Sequence, residues 1–518
     1  MADTRPGSRK GTPAEAAGTY GMDFSVLPRS ADVLVAERPG AVPGSGGQAA
    51  SGRDLRGFLA FLEQHHPDQL YYVDREVDPH FEITALLAKL ERQQRYPVVV
   101  FRNVRGSRLP VVTNVHGSFE RLALAIGLPA NASVPEFTRE YSRREDHPVE
   151  PVFVPREQAP VKEIVLTGDQ INLDELPLLT YHEKDAGSYV TCAFEVMRDP
   201  DTGVRNAGIY RLMRQGRNEF GIQISETAHG HYILKKHMAR NEPTPIAAFL
   251  GHHPAVHLGC LSFSPFESDE FTIAGAMLGE PLRLVKAETV DLEIPADAEI
   301  VIEGEILPDL RRPEAPFGEY PGTYGPQRNN PVVRVKAITM RRSPLYQSSF
   351  VGHPDNLLLS GVTRLSSIQK TVKIASPSVK AVYVPPSGRC RYICYIAMQK
   401  LIEGDPKNAA MAAFAADPFL KFVVVVDEDV DILNDSDVLH AIATRVRADV
   451  DTFMVTYARG SPLDPASYDP AGGSHIVTKV GIDATRKANY PDEISVPGTD
   501  AIDPDDYFRP PQGELSGR

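Results

Sequence analysis

The middle of the chain, from about residue 161 to 345, is a succession of short apolar segments separated by turns, and this pattern limits the fold most. Three of the segments read YVTCAFEVMRD, VRNAGIYRLMRQ and FGIQI, with the turns PDTG and GRNE between them. Such segments are typical of consecutive antiparallel strands. A meander of strands buries its apolar face by closing on itself, so the sequence predicts a closed or split β-barrel.

The segments on either side alternate predicted helices with predicted strands. Before the barrel, Leu55, Phe58, Leu59 and Leu62 repeat at helical spacing, and Ser118 is the predicted N-cap of a further helix. After it, helices such as GVTRLSSIQKTVKIA alternate with strands such as LKFVVVVDEDV. We therefore predict a multidomain α/β fold, in which an N-terminal and a C-terminal α/β domain flank a central split β-barrel.

The predicted domain boundaries follow these changes of pattern. Residues 1–52 are rich in Gly, Ala, Pro and Ser and are predicted to be a flexible extension, and residues 491–518 form a polar tail. Between them we predict an N-terminal domain over 53–160, the barrel over 161–345 and a C-terminal domain over 346–490.

Composition excludes several classes of protein. The net charge of −13 over 518 residues argues against a nucleic-acid binder, since neutralising phosphates requires a basic surface. No run of 18 apolar residues occurs, and the first residues lack the apolar stretch of a secretory signal, so the sequence predicts no membrane span and no secretion. Four cysteines are consistent with a reduced, cytoplasmic protein.

The stretch EAPFGEYPGTYG places Glu314 and Glu319 on a shaped loop or at the edge of a strand, because its prolines and glycines prevent a regular helix. Upstream, the stretch NAGIYR carries Asn206 and Arg211, whose side chains would point to opposite faces of a regular strand. The two can line one site only if the strand bulges, and Gly208 is where a bulge costs least. The alternative is a surface arginine on the barrel.

Further residues could bind a metal or an anion. His229 and His231 lie where a strand meets a predicted helix, and Glu270 precedes an apolar helix. An Asn oxygen, a His nitrogen and a Glu carboxylate would suit manganese or magnesium better than zinc. Lys479 follows a glycine-rich turn and could contact a phosphate, although no P-loop motif occurs. Taken singly, each could instead be a helix cap or a solvated side chain.

Taken together, these stretches resemble the UbiD-type (de)carboxylases, which use prenylated flavin mononucleotide. NAGIYR is similar to the family's N-x-G-x-Y-R strand, EAPFGE to its E-G-P-F-G-E loop, and SDEFTIAGAMLG to the segment with its metal-binding Glu. AEIVIEGEI, VTNVHGSFERLALAIGL and KVGIDATRK resemble further family stretches. The resemblance runs in order from about residue 53 to 490.

The resemblance implies an acid–base site made of Arg211, Glu314 and Glu319. Arg211 would position the substrate carboxylate, and Glu314 would temper the arginine, because neutral carbon dioxide leaves only if the carboxylate is not over-stabilised. Glu319 would donate the proton, for which burial must raise its pKa. Ala315 stands where the family has Gly, which excludes little if this residue has a negative φ.

The resemblance also implies a metal and cofactor site. Asn206, His229 and Glu270 would bind Mn²⁺ or Mg²⁺ beside the cofactor phosphate, with K⁺ as a further candidate ion. A small gap in the match would exchange His229 for His231. The residues implied to contact the cofactor are Asn206, Arg211, Ser262, Glu270 and Lys479.

We therefore expect a cytoplasmic carboxy-lyase that decarboxylates an aromatic, heteroaromatic or α,β-unsaturated acid. A flavin prenyltransferase would supply the cofactor, and the resemblance implies a homodimer or homohexamer. Two alternatives stay open: a carboxylase working in the reverse direction, and an accessory subunit that binds flavin or metal without catalysis. The motifs do not specify which acid is the substrate.

Overall fold

The computed structural model describes residues 52–467, 475–491, 493–494 and 496–508. The predicted extension before residue 52 and residues 509–518 of the predicted tail lie outside the described residues. Among the helices of the described ranges, none combines the length and apolarity needed to cross a bilayer.

The helices of the described residues pack against the faces of the sheets. They are α1 (Leu55–His65), α2 (Glu82–Arg92), α3 (Phe119–Ala125), α4 (Val134–Glu145), α5 (His229–Ala239), α6 (Pro254–Cys260), α7 (Glu270–Leu278), α8 (Pro354–Ala375), α9 (Asp405–Ala416) and α10 (Asp435–Arg445). The predicted cap of α3 is confirmed, since Ser118 accepts a hydrogen bond from the backbone of Arg121.

Within the described part of the chain, the strands assemble into four sheets. They are β1 (Leu70–Val73), β2 (Val98–Phe101), β3 (Val111–Thr113), β4 (Val152–Phe153), β5 (Ile164–Thr167), β6 (Tyr189–Val190), β7 (Ala193–Arg198), β8 (Arg205–Gly208), β9 (Leu212–Arg214), β10 (Glu219–Ile222), β11 (Thr244–Leu250), β12 (Arg283–Lys286), β13 (Glu293–Pro295), β14 (Ile300–Glu314), β15 (Arg328–Met340), β16 (Tyr346–Gln347), β17 (Val379–Tyr383), β18 (Ile393–Met398), β19 (Phe422–Asp427), β20 (Thr452–Arg459) and β21 (Ile476–Ala484).

The N-terminal sheet has the order β1-β2-β3-β16. Strands β1 and β2 are parallel, with Leu70 opposite Val98, whereas β2 and β3 are antiparallel. Strand β16 joins the other edge, parallel to β3, with Tyr346 opposite Val111. The chain thus leaves this sheet, builds the central region and returns to complete it.

The central sheet has the order β6-β9-β10-β15-β14-β11-β7-β8, and β5 pairs with β15 beside this path. All its pairs are antiparallel, as the meander predicted. Along β11, Ile246, Ala248 and Leu250 pack into one apolar core, and Ala247 and Phe249 pack into another. Because both faces of this strand are buried, its sequence is apolar throughout.

The C-terminal sheet has the order β17-β18-β19-β21-β20. Its inner strands β18, β19 and β21 are parallel, and the edge strands β17 and β20 run antiparallel to their neighbours. Helix α8 precedes β17, α9 lies between the parallel strands β18 and β19, and α10 lies between β19 and β20, an alternation typical of α/β domains. A small separate sheet has the order β13-β12-β4.

Candidate active site

The sequence analysis required a single bulged strand at NAGIYR if Asn206 and Arg211 were to line one site. The structure instead breaks this stretch into two strands. Strand β8 ends at Gly208 and pairs with β7, whereas β9 begins at Leu212 and pairs with β6 and β10. A Cβ on Gly208 would lie 3.0 Å from the hydroxyl of Tyr210, so the ring closes over the bare glycine. This break sends Asn206 and Arg211 to two different groups of side chains.

Arg211 is held between the two loop carboxylates. Its Nε and Nη2 donate to Glu314 Oε1 and Oε2 at 2.9 and 3.1 Å, and its Nη1 donates to Glu319 Oε1. Its Cζ lies 4.7 Å from the centroid of the Phe317 ring. Asn330 Nδ2 donates to Glu314 Oε2 at 2.6 Å. Glu314 is 1% exposed and Glu319 6% exposed, so the whole arrangement lies in the protein interior.

Burial acts on the two kinds of charge in opposite ways. It raises the pKa of Glu319, an effect that Arg211 partly opposes and the charge of Glu314 adds to. Burial lowers the pKa of Arg211, but attraction to Glu319 and Glu314 outweighs it and leaves the pKa raised. The guanidinium therefore stays charged, while Glu319 takes up a proton more readily than an exposed carboxyl does.

The loop that carries the two carboxylates needs small residues at close approaches and a residue with positive φ at position 315. Glycines meet the first need, but Ala315 does not suit the second. Gly318 lies so close to His182 that a Cβ there would sit 2.2 Å from the imidazole Nδ1. Gly325 packs on Glu319, where a Cβ would lie 2.9 Å from Oε1. Ala315 has φ 79°, so the condition under which the exchange of Gly for Ala excludes little is not met. An L-residue is strained there, and the family's Gly is not.

A cavity of about 320 Å³ opens at the Arg211 guanidinium. Ile209 and Phe317 form part of its wall from the central region, together with Glu319. Leu359, on α8, also lines the cavity, so the region after the central sheet contributes to the wall. A concave apolar space with a few convergent polar groups is what a small-molecule site requires.

The predicted metal-binding residues also come together. Asn206 Nδ2 donates to Glu270 Oε1 at 3.0 Å, and the backbone of Ala207 donates to Glu270 Oε2 at 3.1 Å. His229 Nδ1 lies 3.6 Å from Glu270 Oε1. Among the described residues, no three His, Cys, Asp or Glu side chains form a metal-binding group, so the predicted set here consists of one His, one Glu and the Asn206 amide.

The two candidate histidines have different surroundings. His229 is the first residue of α5 and contacts Glu270, the first residue of α7. His231 Nε2 is buried without a hydrogen-bond partner among the described residues, and burial lowers its pKa. The geometry therefore favours His229 over His231 as the partner of Glu270.

Two further predicted cofactor residues do not join either group. The Nζ of Lys479, on β21, donates to the carbonyl of Pro418 at 2.8 Å, and burial lowers its pKa to about 8. Ser262 Oγ donates to Glu145 Oε1 at 3.0 Å, whereas its neighbour Phe263 lines the cavity. Contacts of Lys479 and Ser262 with a cofactor stay predictions.

Sequence reasoning missed the support behind Glu314. Asn330, on β15, donates from Nδ2 both to Glu314 and to Gln223 Oε1, the latter at 2.7 Å. Gln223 also lines the cavity. No motif marks these two residues, because only the pairing of β14 with β15 brings Asn330 beside Glu314.

Comparison with protein families defines the class of protein as a three-domain carboxy-lyase. Models of the N-terminal, Rift-related and C-terminal domains of 3-octaprenyl-4-hydroxybenzoate carboxy-lyase match residues 61–141, 152–354 and 358–484. The chain belongs to the UbiD family of (de)carboxylases that use prenylated FMN. The resemblance inferred from the motifs is thereby confirmed.

Two similar proteins are decarboxylases. The chain is 36% identical over 470 residues to the phenolic acid decarboxylase of Sedimentibacter hydroxybenzoicus, covering 88% of this chain and 95% of that protein. It is 35% identical over 422 residues to the anhydromevalonate phosphate decarboxylase of Methanothermobacter thermautotrophicus, covering 81% and 94%.

Among solved structures, the UbiD-class enzyme HmfF from Pelotomaculum thermopropionicum in complex with FMN is similar, with a TM-score of 0.81 and 41% identity. The match covers 88% of this chain and 100% of that one. The closed form of the Sedimentibacter hydroxybenzoicus vanillic acid decarboxylase gives a TM-score of 0.77 and 34% identity, with 88% and 98% covered. The predicted multidomain α/β fold is confirmed at this level.

Proposed function

We propose that this chain is a carboxy-lyase that removes carbon dioxide, reversibly and without oxidation, from an aromatic, heteroaromatic or α,β-unsaturated carboxylic acid. Membership of the UbiD family and decarboxylase relatives support the reaction class. The observation that carries the proposal is the pairing of one charged arginine with two unlike carboxylates at the mouth of a cavity.

The arrangement gives each residue a separate task. Arg211 faces the cavity with its charge shared between two acids, so it can orient a substrate carboxylate without binding it too strongly. Glu314 accepts from both Nε and Nη2 and therefore restrains the guanidinium. Glu319, with its raised pKa, holds the proton that replaces carbon dioxide on the substrate carbon.

The residues present suit the family's cofactor and metal. The amide of Asn206, the imidazole of His229 and the carboxylate of Glu270 offer oxygen and nitrogen donors suited to Mn²⁺ or Mg²⁺. We propose that these three hold the metal at the cofactor phosphate, with K⁺ as a further ion. Lys479 and Ser262 are proposed as additional cofactor contacts. When bound, prenylated FMN would supply the electron sink for the departing carboxyl group.

The proposal also includes the flavin-binding barrel, the source of the cofactor, the assembly and the location of the protein. The central sheet would form the split barrel that binds the flavin, and a flavin prenyltransferase would supply the cofactor. Solved relatives include an evolved dimeric form of HmfF, which supports a homo-oligomeric assembly, dimer or hexamer. We propose a cytoplasmic location from the composition.

The test is to co-express the chain with a flavin prenyltransferase and to screen carboxylic acids by mass spectrometry. Wild-type protein is expected to release carbon dioxide from a member of the panel and to exchange deuterium into its product. Glu319→Gln is expected to reduce both by about 10²–10⁴-fold, the usual contribution of a positioned acid.

The same substitution at the exposed Glu157 provides the control and should leave both rates unchanged. Near wild-type decarboxylation and exchange in Glu319→Gln would show that Glu319 is not the donor. A cofactor-loaded protein that turns over no acid, and fixes no carbon dioxide under pressure, would disprove the proposed activity.

A further inference from the structure

A buried carboxyl group holds the turn between strands β8 and β9. Glu195, on β7, is 0% exposed, and its Oε2 accepts a 2.7 Å hydrogen bond from the backbone nitrogen of Tyr210. Tyr210 lies between Gly208, the last residue of β8, and Leu212, the first residue of β9. Because Tyr210 belongs to neither strand, the Glu195 side chain provides the acceptor that a neighbouring strand would otherwise supply.

The position of Glu195 on β7 directs its carboxyl group toward this turn. Ala193 and Met197, two residues before and after it, pack into the same apolar core as Tyr210. Side chains two residues apart on a strand share a face, so Glu195 points into that core as well. In the register of β7 with β8, Glu195 lies opposite Gly208. Its side chain therefore meets the chain where β8 ends.

The surroundings of Glu195 do not favour a charge. Its Oε1 is buried without a hydrogen-bond partner among the described residues. Glu299 and Glu303, also 0% exposed, each form an ion pair with a basic side chain, whereas Glu195 forms none with a described residue. Burial raises the pKa of Glu195 well above its usual range, and the hydrogen bond from Tyr210 only partly opposes this. In the uncharged carboxyl group, Oε2 is the acceptor and Oε1 carries the hydrogen.

Tyr210 connects this carboxyl group with both groups of predicted site residues. Arg211 is the next residue along the chain and is held by the two loop carboxylates. The Tyr210 hydroxyl accepts from the backbone nitrogen of Gly230 at 3.2 Å and donates to Asn206 Oδ1 at 3.4 Å. A shift of the Tyr210 backbone would therefore displace residues of both groups.

We propose that Glu195 is a positioning residue for the acid–base site: its carboxyl group fixes the backbone of Tyr210 and thereby directs the guanidinium of Arg211. It acts as an uncharged hydrogen-bond acceptor and not as a base. Burying a carboxyl group with one oxygen unpartnered is unfavourable, and such costs are typical of functional sites. The inference rests on the proposed function for what Arg211 does to a substrate, but the hold on Tyr210 can be measured without one.

Three substitutions separate the acceptor from the charge. Glu195→Leu removes the acceptor at similar volume, Glu195→Asp shortens the side chain by one methylene, and Glu195→Gln keeps a carbonyl oxygen for Tyr210. We expect backbone hydrogen exchange over residues 208–213, followed by mass spectrometry, to be about tenfold faster in Glu195→Leu, because a buried hydrogen bond is lost. Glu195→Asp should lie between Glu195→Leu and wild type, and Glu195→Gln should match wild type.

The guanidinium provides a second measurement that does not depend on turnover. The Nε–H of Arg211, which donates to Glu314, should give a slowly exchanging signal in ¹⁵N NMR spectra, identified by its absence from Arg211→Lys. We expect its exchange to be about tenfold faster in Glu195→Leu and unchanged in Glu195→Gln. With an acid that wild-type protein decarboxylates, kcat/KM should fall by about 10²-fold in Glu195→Leu and be retained in Glu195→Gln, because misplacing a group that orients the substrate is costly.

Several outcomes would overturn the proposal. They are wild-type exchange at the turn in Glu195→Leu and Glu195→Asp, faster exchange at the turn with an unchanged Arg211 signal, and loss of turnover in Glu195→Gln while the turn stays protected. The last result would show that the charge matters and the acceptor does not. If cofactor-loaded wild-type protein turns over no acid, the proposed activity fails, whereas the two exchange measurements still decide the role of Glu195.

Val196→Ala is the matched control for a general loss of stability. Val196 is the next residue on β7, is 0% exposed and packs into the other apolar core, on the opposite face of the strand. Val196→Ala should lower the midpoint of chemical denaturation, because it leaves a cavity, yet keep wild-type exchange at the turn and at Arg211. Equal loosening of the turn in Val196→Ala and Glu195→Leu would assign the effect to stability and overturn the proposal.

Discussion

At the scale of single residues, the two carboxylates around Arg211 differ more in their surroundings than in their chemistry. Glu314 accepts two hydrogen bonds from the guanidinium and one from Asn330, which leaves little capacity for other work. Glu319 accepts one hydrogen bond from Arg211 and lines the cavity. The residue that faces the ligand space is also the one whose pKa is raised.

We expect turnover to fall as pH rises through the raised pKa of Glu319, because the proposed proton donor then loses its proton. Glu314→Gln should move this alkaline limb to lower pH. Removing the Glu314 charge takes away one cause of the raised pKa and leaves Arg211 freer to stabilise the Glu319 carboxylate. The measurement is the pH profile of turnover in both proteins, and a limb that stays in place or moves upward would contradict this account.

Ala315→Gly should stabilise the protein. The φ of 79° strains an alanine by about 1–3 kcal/mol, which exceeds the roughly 0.4–1 kcal/mol that glycine costs through the unfolded chain. Chemical denaturation would show a higher free energy of unfolding, by up to about 2 kcal/mol. Ala412→Gly, inside α9, is the control and should lower it by about 1 kcal/mol. Equal losses at both sites would show that Ala315 is not strained.

At the scale of elements, the ends of helices position two of the residues proposed to bind a metal. Helix α7 begins at Glu270, and the preceding Asp269 caps it by accepting from the backbone of Phe271 at 3.0 Å. Asp269 also accepts from Arg205 Nε at 2.9 Å, and Arg205 lies on β8 beside Asn206. The capping residue Asp269 therefore ties the start of α7 to the strand that carries Asn206, the second proposed ligand.

Asp269→Ala should lower the free energy of unfolding by about 1–2 kcal/mol and weaken Mn²⁺ binding, because the first turn that presents Glu270 loses its cap. Asp269→Asn should retain most of the stability, since Asn caps equally well. Denaturation and Mn²⁺ titration by electron paramagnetic resonance would measure both. Equal Mn²⁺ affinity in wild type and Asp269→Ala would show that the cap of α7 does not support Mn²⁺ binding.

The elements also show where sequence patterns suffice. Helix α1 and the cap of α3 follow from apolar spacing and one serine, and the structure confirms both. The break between β8 and β9 could not be predicted from the stretch itself. It arises because β8 pairs with β7 whereas β9 pairs with β6 and β10, and these partners are distant in sequence. Helix α4 carried a readable signal that the sequence reasoning did not use: Ser133 and Glu136 form a capping box.

For the site, the motifs indicated which residues matter but not how they are supported. Arg211, Glu314 and Glu319 could be named together because their stretches resemble a family. Asn330 could not, since it lies beside Glu314 only through the pairing of β14 with β15. The positive φ of Ala315 was equally hidden, because alanine is not a residue that signals a left-handed backbone.

At the scale of the whole molecule, buried histidines make the stability depend on pH. Burial lowers the pKa of His252 to about 3 and that of His353 to about 4. Both folded values lie below the ordinary value near 6.5, so the unfolded chain binds protons that the folded chain excludes. Stability is therefore highest above about pH 6.5 and falls as pH decreases.

We expect each of the two histidines to reduce the free energy of unfolding by about 2 kcal/mol between pH 7.5 and pH 5. His353→Asn should flatten the dependence without loss of the N-cap of α8, since Asn also caps. Denaturation at a series of pH values is the measurement, with the exposed His440 as the control position. If the free energy of unfolding depended on pH equally in wild type and His353→Asn, His353 would not be a source of the pH dependence.

The pairing of β16 with β3 has a consequence for how the chain is made. All nine strands of the central sheet lie between these two neighbours in sequence. During synthesis on a ribosome, the edge of β3 in the N-terminal sheet therefore stays unpaired until β16, which follows the central strands in sequence, has been synthesised. An open apolar edge of this kind can pair with other copies, so the early part of the chain has more need of chaperones than the finished protein.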